Sequence, residues 1–213
     1  MKKAFIFDLD GVIVFTDQFH YQAWKQIADE MEIYFDQQIN NRLRGVSRME
    51  SLEIILERYG GKPLTDEQKE DLAARKNHIY RKLLDNMQST DVSDEIRNTL
   101  KKLHSLGYQL AVGSSSRNAK FILERADLME YFDAISDGTN ITKSKPDPEV
   151  FLKAAEFLQV EPEECYVVED ACAGIDAAKA AGMTAIGIGE AAEYEKSDIR
   201  IHSFKELLNI GNC

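Results

Sequence analysis

Short apolar runs alternate with amphipathic stretches along most of the chain. "AFIF" (4–7), "QLAVG" (109–113), "YVV" (166–168) and "TAIGIG" (184–189) read as buried strands, and a further strand is expected near Phe132–Ile135. Between them lie helical patterns. Ile96, Leu100 and Leu103 recur at spacings of four and three. Phe121, Ile122 and the pair Arg125–Ala126 mark a second helix. A third opens with Asp147 as N-cap and Pro148 at its first position, and Val150, Phe151, Ala154 and Leu158 give it an apolar face. Strand–helix alternation of this kind predicts a doubly wound α/β fold with a parallel sheet.

The alternation fails between 17 and 88, where helices are predicted but no strand. Phe19, Ala23, Ile27 and Met31 share one face; Leu52, Ile55, Leu56 and Tyr59 share another; "TDEQ" (65–68) is a capping box opening a third helix. About 70 helical residues after the first strand are far more than a loop needs. They predict an inserted, all-helical cap domain over 16–88, with the α/β core formed by 1–15 and 89–213. The hinges are expected at Val14–Asp17 and Gln88–Asp91.

In open α/β sheets, ligands bind beyond the carboxyl ends of the strands. Four polar clusters fall there. "DLDG" (8–11) follows the first strand, "SSSRN" (114–118) the second and "EDACAG" (169–174) a later one; "KSKPDP" (143–148) precedes a helix. Taken singly, each has a plain structural reading as a turn, a cap or a solvated lysine. Together they assemble carboxylates, hydroxyls and a lysine at one sheet edge, and that combination suits phosphoryl transfer. A carboxylate, Asp8, can attack phosphorus. Asp10, two residues on, can exchange a proton with the attacking or leaving oxygen. Ser114 and Lys145 can hold phosphoryl oxygens, and Asp8 with Glu169 and Asp170 offers the hard oxygen ligands that Mg²⁺ prefers.

Composition narrows the partners. The 213 residues carry a net charge of −11, which disfavours nucleic acid and anionic membranes. No run approaches the about 20 apolar residues of a membrane helix. The apolar stretch after Lys2 and Lys3 is too short for a signal peptide. Cys165, Cys172 and Cys213 have no metal spacing and read as reduced thiols in a cytoplasmic protein. An anionic substrate would have to be drawn in by local cations or a bound metal.

The four motifs together resemble those of the haloacid dehalogenase superfamily of phosphotransferases, and the resemblance covers nearly the whole chain. It implies a Rossmann-like core with a cap. Within the superfamily the chain is most similar to the β-phosphoglucomutase family, through Thr16, "HYQAWK" (20–25), "RGVSR" (44–48), "RKN" (75–77), "SSSRN" and "KSKP". The resemblance implies Asp8 as nucleophile and Asp10 as general acid/base, with Ser114, Lys145, Thr16 and His20 supporting catalysis. It implies one Mg²⁺ among Asp8, the Asp10 carbonyl, Glu169 and Asp170. Substrate contacts would come from Trp24, Arg44, Gly45, Val46, Ser47, Arg48 and Lys76 in the cap, and from Ser115, Ser116, Arg117 and Asn118 in the core. The implied reaction interconverts β-glucose 1-phosphate and glucose 6-phosphate through β-glucose 1,6-bisphosphate. The expected partner is a small sugar phosphate, and the expected state is a cytoplasmic monomer.

Two positions depart from the family pattern: Phe15 where an acidic residue is usual, and Arg44 where lysine is common. Other readings stay open for the cap. Trp24 suits a helical core as well as a ligand contact, and His20, Arg48 and Lys76 could be ordinary surface groups. A sugar-phosphate phosphatase of the same superfamily shares every core motif. A catalytically silent sensor should have lost carboxylates that this chain keeps, and a receiver domain would carry its acceptor on a later strand.

Overall fold

The computed structural model describes residues 3–44 and 46–210. Gly45 of "RGVSR" and Cys213 therefore lie outside the described residues. The chain forms two compact units: Met1–Phe15 with Gln88–Cys213, and Thr16–Met87. Gln88 belongs to the first. Its backbone N–H donates to Asp91 Oδ2 at 2.8 Å and opens a 3-10 turn, Ser89–Asp91.

The first unit is a parallel sheet of six strands: β1 (Ala4–Phe7), β2 (Gln109–Gly113), β3 (Ala134–Ser136), β4 (Cys165–Glu169), β5 (Thr184–Gly187) and β6 (Ile199–Arg200). Their order is β3-β2-β1-β4-β5-β6, so the chain winds out from β1 in both directions. Both faces are covered, which explains why β1 is apolar throughout rather than alternating. Ala4 and Ile6 pack with Val150, Phe151 and Ala154 of α7 (Glu149–Leu158) and Ile175 and Ala178 of α8 (Cys172–Ala180). On the other face Phe5 meets Tyr108 and Tyr166 with ring centroids 4.9 and 4.8 Å apart, and Phe7 meets Phe204 at 5.6 Å. All four β1 side chains are fully buried. Each phenylalanine contributes about 1.5–3 kcal/mol by leaving water.

The remaining helices of this unit are α5 (Asp94–Ser105) and α6 (Ala119–Arg125). The helix expected to start at Pro148 starts one residue later, at Glu149. Asp147 still accepts from the Glu149 N–H at 3.0 Å, so it caps from one position further out. Strand β4 is longer than "YVV" and takes in Glu169 as its last residue. The two-residue β6 has no counterpart in the sequence reading.

The second unit is helical among its described residues: α1 (Asp17–Glu30), α2 (Gln37–Asn41), α3 (Arg48–Leu56) and α4 (Asp66–Leu84). Its core gathers Trp24, Ile27, Ile33, Phe35, Leu52 and Leu72. Helices α3 and α4 both open with capping boxes. Thr65 pairs with Gln68 as expected, and Ser47 with Glu50 at the start of α3, which the sequence reading passed over.

Candidate active site

The register of the sheet sets the α/β site. Phe7 lies beside Val112 of β2 and Val168 of β4, so Asp8, Ser114 and Glu169 all leave the sheet at one edge. Asp8 continues the ladder, its N–H donating to Val168 O at 2.9 Å. Leu9 turns fully into the core. The chain then doubles back: Gly11 N donates to Val14 O, and Ile13 N and Val14 N to Leu9 O. Gly11 makes the turn with φ +95°, and a Cβ there would lie 2.1 Å from Asp170 Oδ2. Glycine at this position therefore makes room for a site carboxylate. Gly174 does the same for Glu169, whose Cδ would be 1.9 Å from an added Cβ.

Three carboxylates converge. One ligand oxygen each from Asp8, Glu169 and Asp170 fall within 4.8 Å of one another. Lys145 Nζ lies 2.5 Å from Asp8 Oδ1 and 2.5 Å from Glu169 Oε1, with the Phe151 ring centroid 4.7 Å away. Burial alone would pull the lysine pKa down; Asp8 and Glu169 more than offset it and hold it above the ordinary lysine value. One cation does not balance three acids. Burial, then Glu169, then Asp8 push the Asp170 carboxyl up to about 8. Burial and Asp8 likewise raise Glu169 against the pull of Lys145. Converging hard oxygens with unrelieved repulsion fit a divalent cation such as Mg²⁺. The carboxyl groups in this cluster are those of Asp8, Glu169 and Asp170; Asp10 was expected to contribute its carbonyl. Asp10 is close enough to add to the rise in Asp170.

The Ser114 N–H donates to Ser136 O at 3.0 Å, and its Oγ accepts from Ser116 N at 3.2 Å; the side chain is buried. Ser116 Oγ accepts from Asn118 N at 3.2 Å, and Asn118, also buried, precedes α6. Ser115 Oγ is buried without a hydrogen-bond partner. Arg117 is exposed.

The helical unit builds a second polar cluster. Lys76 is buried, with Nζ 2.8 Å from His20 Nδ1, 4.5 Å from the Tyr80 ring centroid and 5.0 Å from that of Trp24. The ammonium donates, so Nδ1 accepts and the proton of the neutral imidazole sits on Nε2. Burial, then Lys76, then Arg48 hold the His20 pKa well below its usual value. Tyr80, absent from the expected site, has its ring centroid 4.0 Å from that of His20, with the planes tilted by 32°, and its hydroxyl is 2.8 Å from Thr16 Oγ1. The signal was its place one helical turn beyond Lys76. Trp24, expected among ligand contacts, is 1% exposed and belongs to the core of the unit beneath Lys76. Arg44 Nε lies 3.7 Å from Asp17 Oδ1, and Asp17 also accepts from Asn40 and Gln37. Ser47 caps α3, whose first residue is Arg48; Val46 and Arg48 are partly exposed.

Residues 2–182 match the model of the haloacid dehalogenase-like hydrolases, and the chain belongs to that family. Within it, the chain is 43% identical to the beta-phosphoglucomutase of Bacillus subtilis, over 96% of this chain and 91% of that protein. A crystal structure of beta-phosphoglucomutase from Clostridium difficile superposes with a TM-score of 0.90 at 38% identity, covering 97% of this chain and 93% of that one. A phosphorylated-carbohydrate phosphatase of Thermotoga maritima is 32% identical over 86% of this chain and 83% of its own length.

Proposed function

We propose that the protein is a phosphomutase that interconverts β-glucose 1-phosphate and glucose 6-phosphate through β-glucose 1,6-bisphosphate, acting in the cytoplasm as a monomer. The observation that carries the chemistry is Lys145 spanning Asp8 and Glu169 beside Asp170. Asp8 attacks the 1-phosphorus of the bound bisphosphate, the bond to the sugar oxygen breaks, glucose 6-phosphate leaves and an aspartyl-phosphate remains. The 6-hydroxyl of β-glucose 1-phosphate then takes the phosphoryl group and restores both the bisphosphate and the free Asp8. Asp10 gives a proton to the leaving oxygen in one half-reaction and takes one from the attacking hydroxyl in the other. Lys145 and Ser114 hold phosphoryl oxygens, and the unpaired Ser115 hydroxyl suits another ligand oxygen. Asp8, Glu169, Asp170 and the Asp10 carbonyl would hold one Mg²⁺, which when bound offsets phosphoryl charge.

The mutase reading over the phosphatase rests on identity to the Bacillus subtilis relative and on a second pair of cations, Arg48 and Lys76, beside the neutral His20 in the helical unit, suited to a distal phosphate or sugar. The phosphatase relatives keep the alternative open to experiment: water, rather than a sugar hydroxyl, would take the phosphoryl group. The test supplies Mg²⁺, β-glucose 1-phosphate and a trace of the bisphosphate, and follows glucose 6-phosphate and inorganic phosphate together. Isomer formation well ahead of phosphate release supports the mutase. Phosphate release equal to or above it makes the protein a phosphatase. In either case Asp8→Asn should abolish turnover, because an amide is a very weak nucleophile; a phosphoenzyme trapped in that variant would overturn the aspartyl-phosphate.

A further inference from the structure

Lys145 reaches its two carboxylates from a loop. Asp8 follows β1 and Glu169 ends β4, so both are held by the sheet. Lys145 stands between β3 and α7, in a stretch whose residues 142–148 are polar or proline. The bridge depends on what fixes that stretch.

Glu149, the first residue of α7, ties the loop back onto itself. Its Oε2 accepts from Thr142 N at 2.9 Å, Thr142 Oγ1 at 2.9 Å and Lys143 N at 2.7 Å. The far end closes on the same residue. The Glu149 N–H donates to Asp147 Oδ1 at 3.0 Å, and Asp147 N donates to Ser144 O at 3.0 Å. Lys143 Nζ lies 3.4 Å from Asp147 Oδ2. Lys145 is thus flanked on both sides by segments fastened to one residue, through the Glu149 carboxylate on the side of Thr142 and Lys143 and through its backbone N–H on the side of Asp147. Three donors on a single carboxylate oxygen favour the charged form, and the Lys143 and Thr142 N–H groups hold the Glu149 pKa below the usual carboxylate value.

We propose that Glu149 is a positioning residue: by gathering Thr142 and Lys143 it seats the loop so that Lys145 spans Asp8 and Glu169. This rests on the phosphotransfer reading of the site. The competing explanation is that an acid in the first turn merely favours α7 through the helix dipole. The two differ in whether the effect of Glu149 passes through Lys145.

The experiment measures kcat and KM for p-nitrophenyl phosphate with Mg²⁺, together with the melting temperature. This substrate requires no sugar pocket. Glu149→Ala should lower kcat on the order of 10- to 100-fold, the scale on which a misplaced group acts, with KM nearly unchanged. Glu149→Asp should recover part of the loss. In a Lys145→Arg background the further loss from Glu149→Ala should largely vanish. An equal loss in both backgrounds, or full activity in Glu149→Ala, overturns the proposal. Should Glu149→Ala fail to fold, Thr142→Val removes one donor while keeping its shape; it should lower kcat in the same direction, and an unchanged kcat there also overturns the proposal. If Asp8→Asn retains turnover, the phosphotransfer reading itself fails, an outcome separate from any result at Glu149.

Discussion

Each unit buries a lysine, and the two are held in different ways. Lys145 and Lys76 are both 2% exposed. Lys145 sits between two carboxylates that the sheet carries on adjacent strands. Lys76 lies against a neutral imidazole and two aromatic faces, all carried by helices. In the first case the cation offsets only part of the charge of its partners and leaves a net negative cluster that suits a metal. In the second, burial first and then the cation keep a histidine neutral. The α/β site is therefore organised by charge, and the helical cluster by polarisable surfaces together with hydrogen bonds such as those of Lys76 with His20 and Tyr80 with Thr16.

The sharpest test substitutes the same residue at both lysines. Lys145→Met leaves Asp8 and Glu169 buried without their cation, and breaking a buried pair of this kind costs roughly 3–5 kcal/mol. Lys76→Met places an apolar chain against Trp24 and Tyr80 and should cost clearly less. Urea midpoints of the two variants, measured without divalent cation, decide the matter. Equal losses would mean that Lys76 is held by charge after all.

Metal comes next. If repulsion among Asp8, Glu169 and Asp170 defines the site, Mg²⁺ should stabilise the protein by mass action, by about 2.7 kcal/mol at a concentration of 100 Kd. The melting temperature should rise on adding Mg²⁺ and fall back with chelator. In Asp170→Ala the rise should shrink, since one ligand is gone. A full shift in that variant would place the metal elsewhere.

The difference between the sites also explains what was legible in the chain. Asp8, Ser114 and Glu169–Asp170 stand directly after apolar runs, so strand ends alone brought them to one edge. Lys145 came with its own proline-rich signature. The helical cluster depends on contacts such as His20 with Lys76, 56 residues apart, which no local period reports. Trp24 shows the same limit. Its spacing placed it on a helix face, but only packing decided that the face was core. The five-residue α2 and the two-residue β6 are too short for a hydrophobic period to register. Glu149 was invisible for another reason: its partners, seven and six residues back, lie in irregular chain.

The histidine gives a smaller, pH-dependent effect. In the unfolded chain His20 takes up a proton near its ordinary value of 6.5; in the folded protein it does so only at lower pH. The unfolded state then binds more protons below about 6.5. The resulting stability is present above that value and is lost as the pH falls, by at most about 1.4 kcal/mol per unit, until the folded group also protonates. His20→Gln should flatten the decline in stability between neutrality and about pH 5, a window set by the reference histidine value. If the decline is as steep in the variant as in the parent, the imidazole is not held neutral by its burial, Lys76 and Arg48.

The smallest expected effect isolates a single hydroxyl. Tyr80 is 1% exposed, and its ring packs at a tilt against His20 beneath Lys76 while its oxygen meets Thr16 Oγ1 at 2.8 Å. Tyr80→Phe keeps the ring, and with it the aromatic faces toward His20 and Lys76. It removes only the partner of a buried hydroxyl, so Thr16 should lose about 1 kcal/mol of hydrogen bonding, and more if it finds no other acceptor or donor. Tyr80→Leu removes the aromatic faces as well and should cost more. The order follows from the contrast between the units: where a cluster is built on polarisable surfaces, the ring matters more than the hydroxyl. The check is the urea midpoint of both variants beside Thr16→Val, which removes the same hydrogen bond from the other side. Tyr80→Phe and Thr16→Val should each lose a similar amount, and the double variant little more than either. A Tyr80→Phe loss equal to that of Tyr80→Leu would show that the hydroxyl, not the ring, holds the helical cluster together.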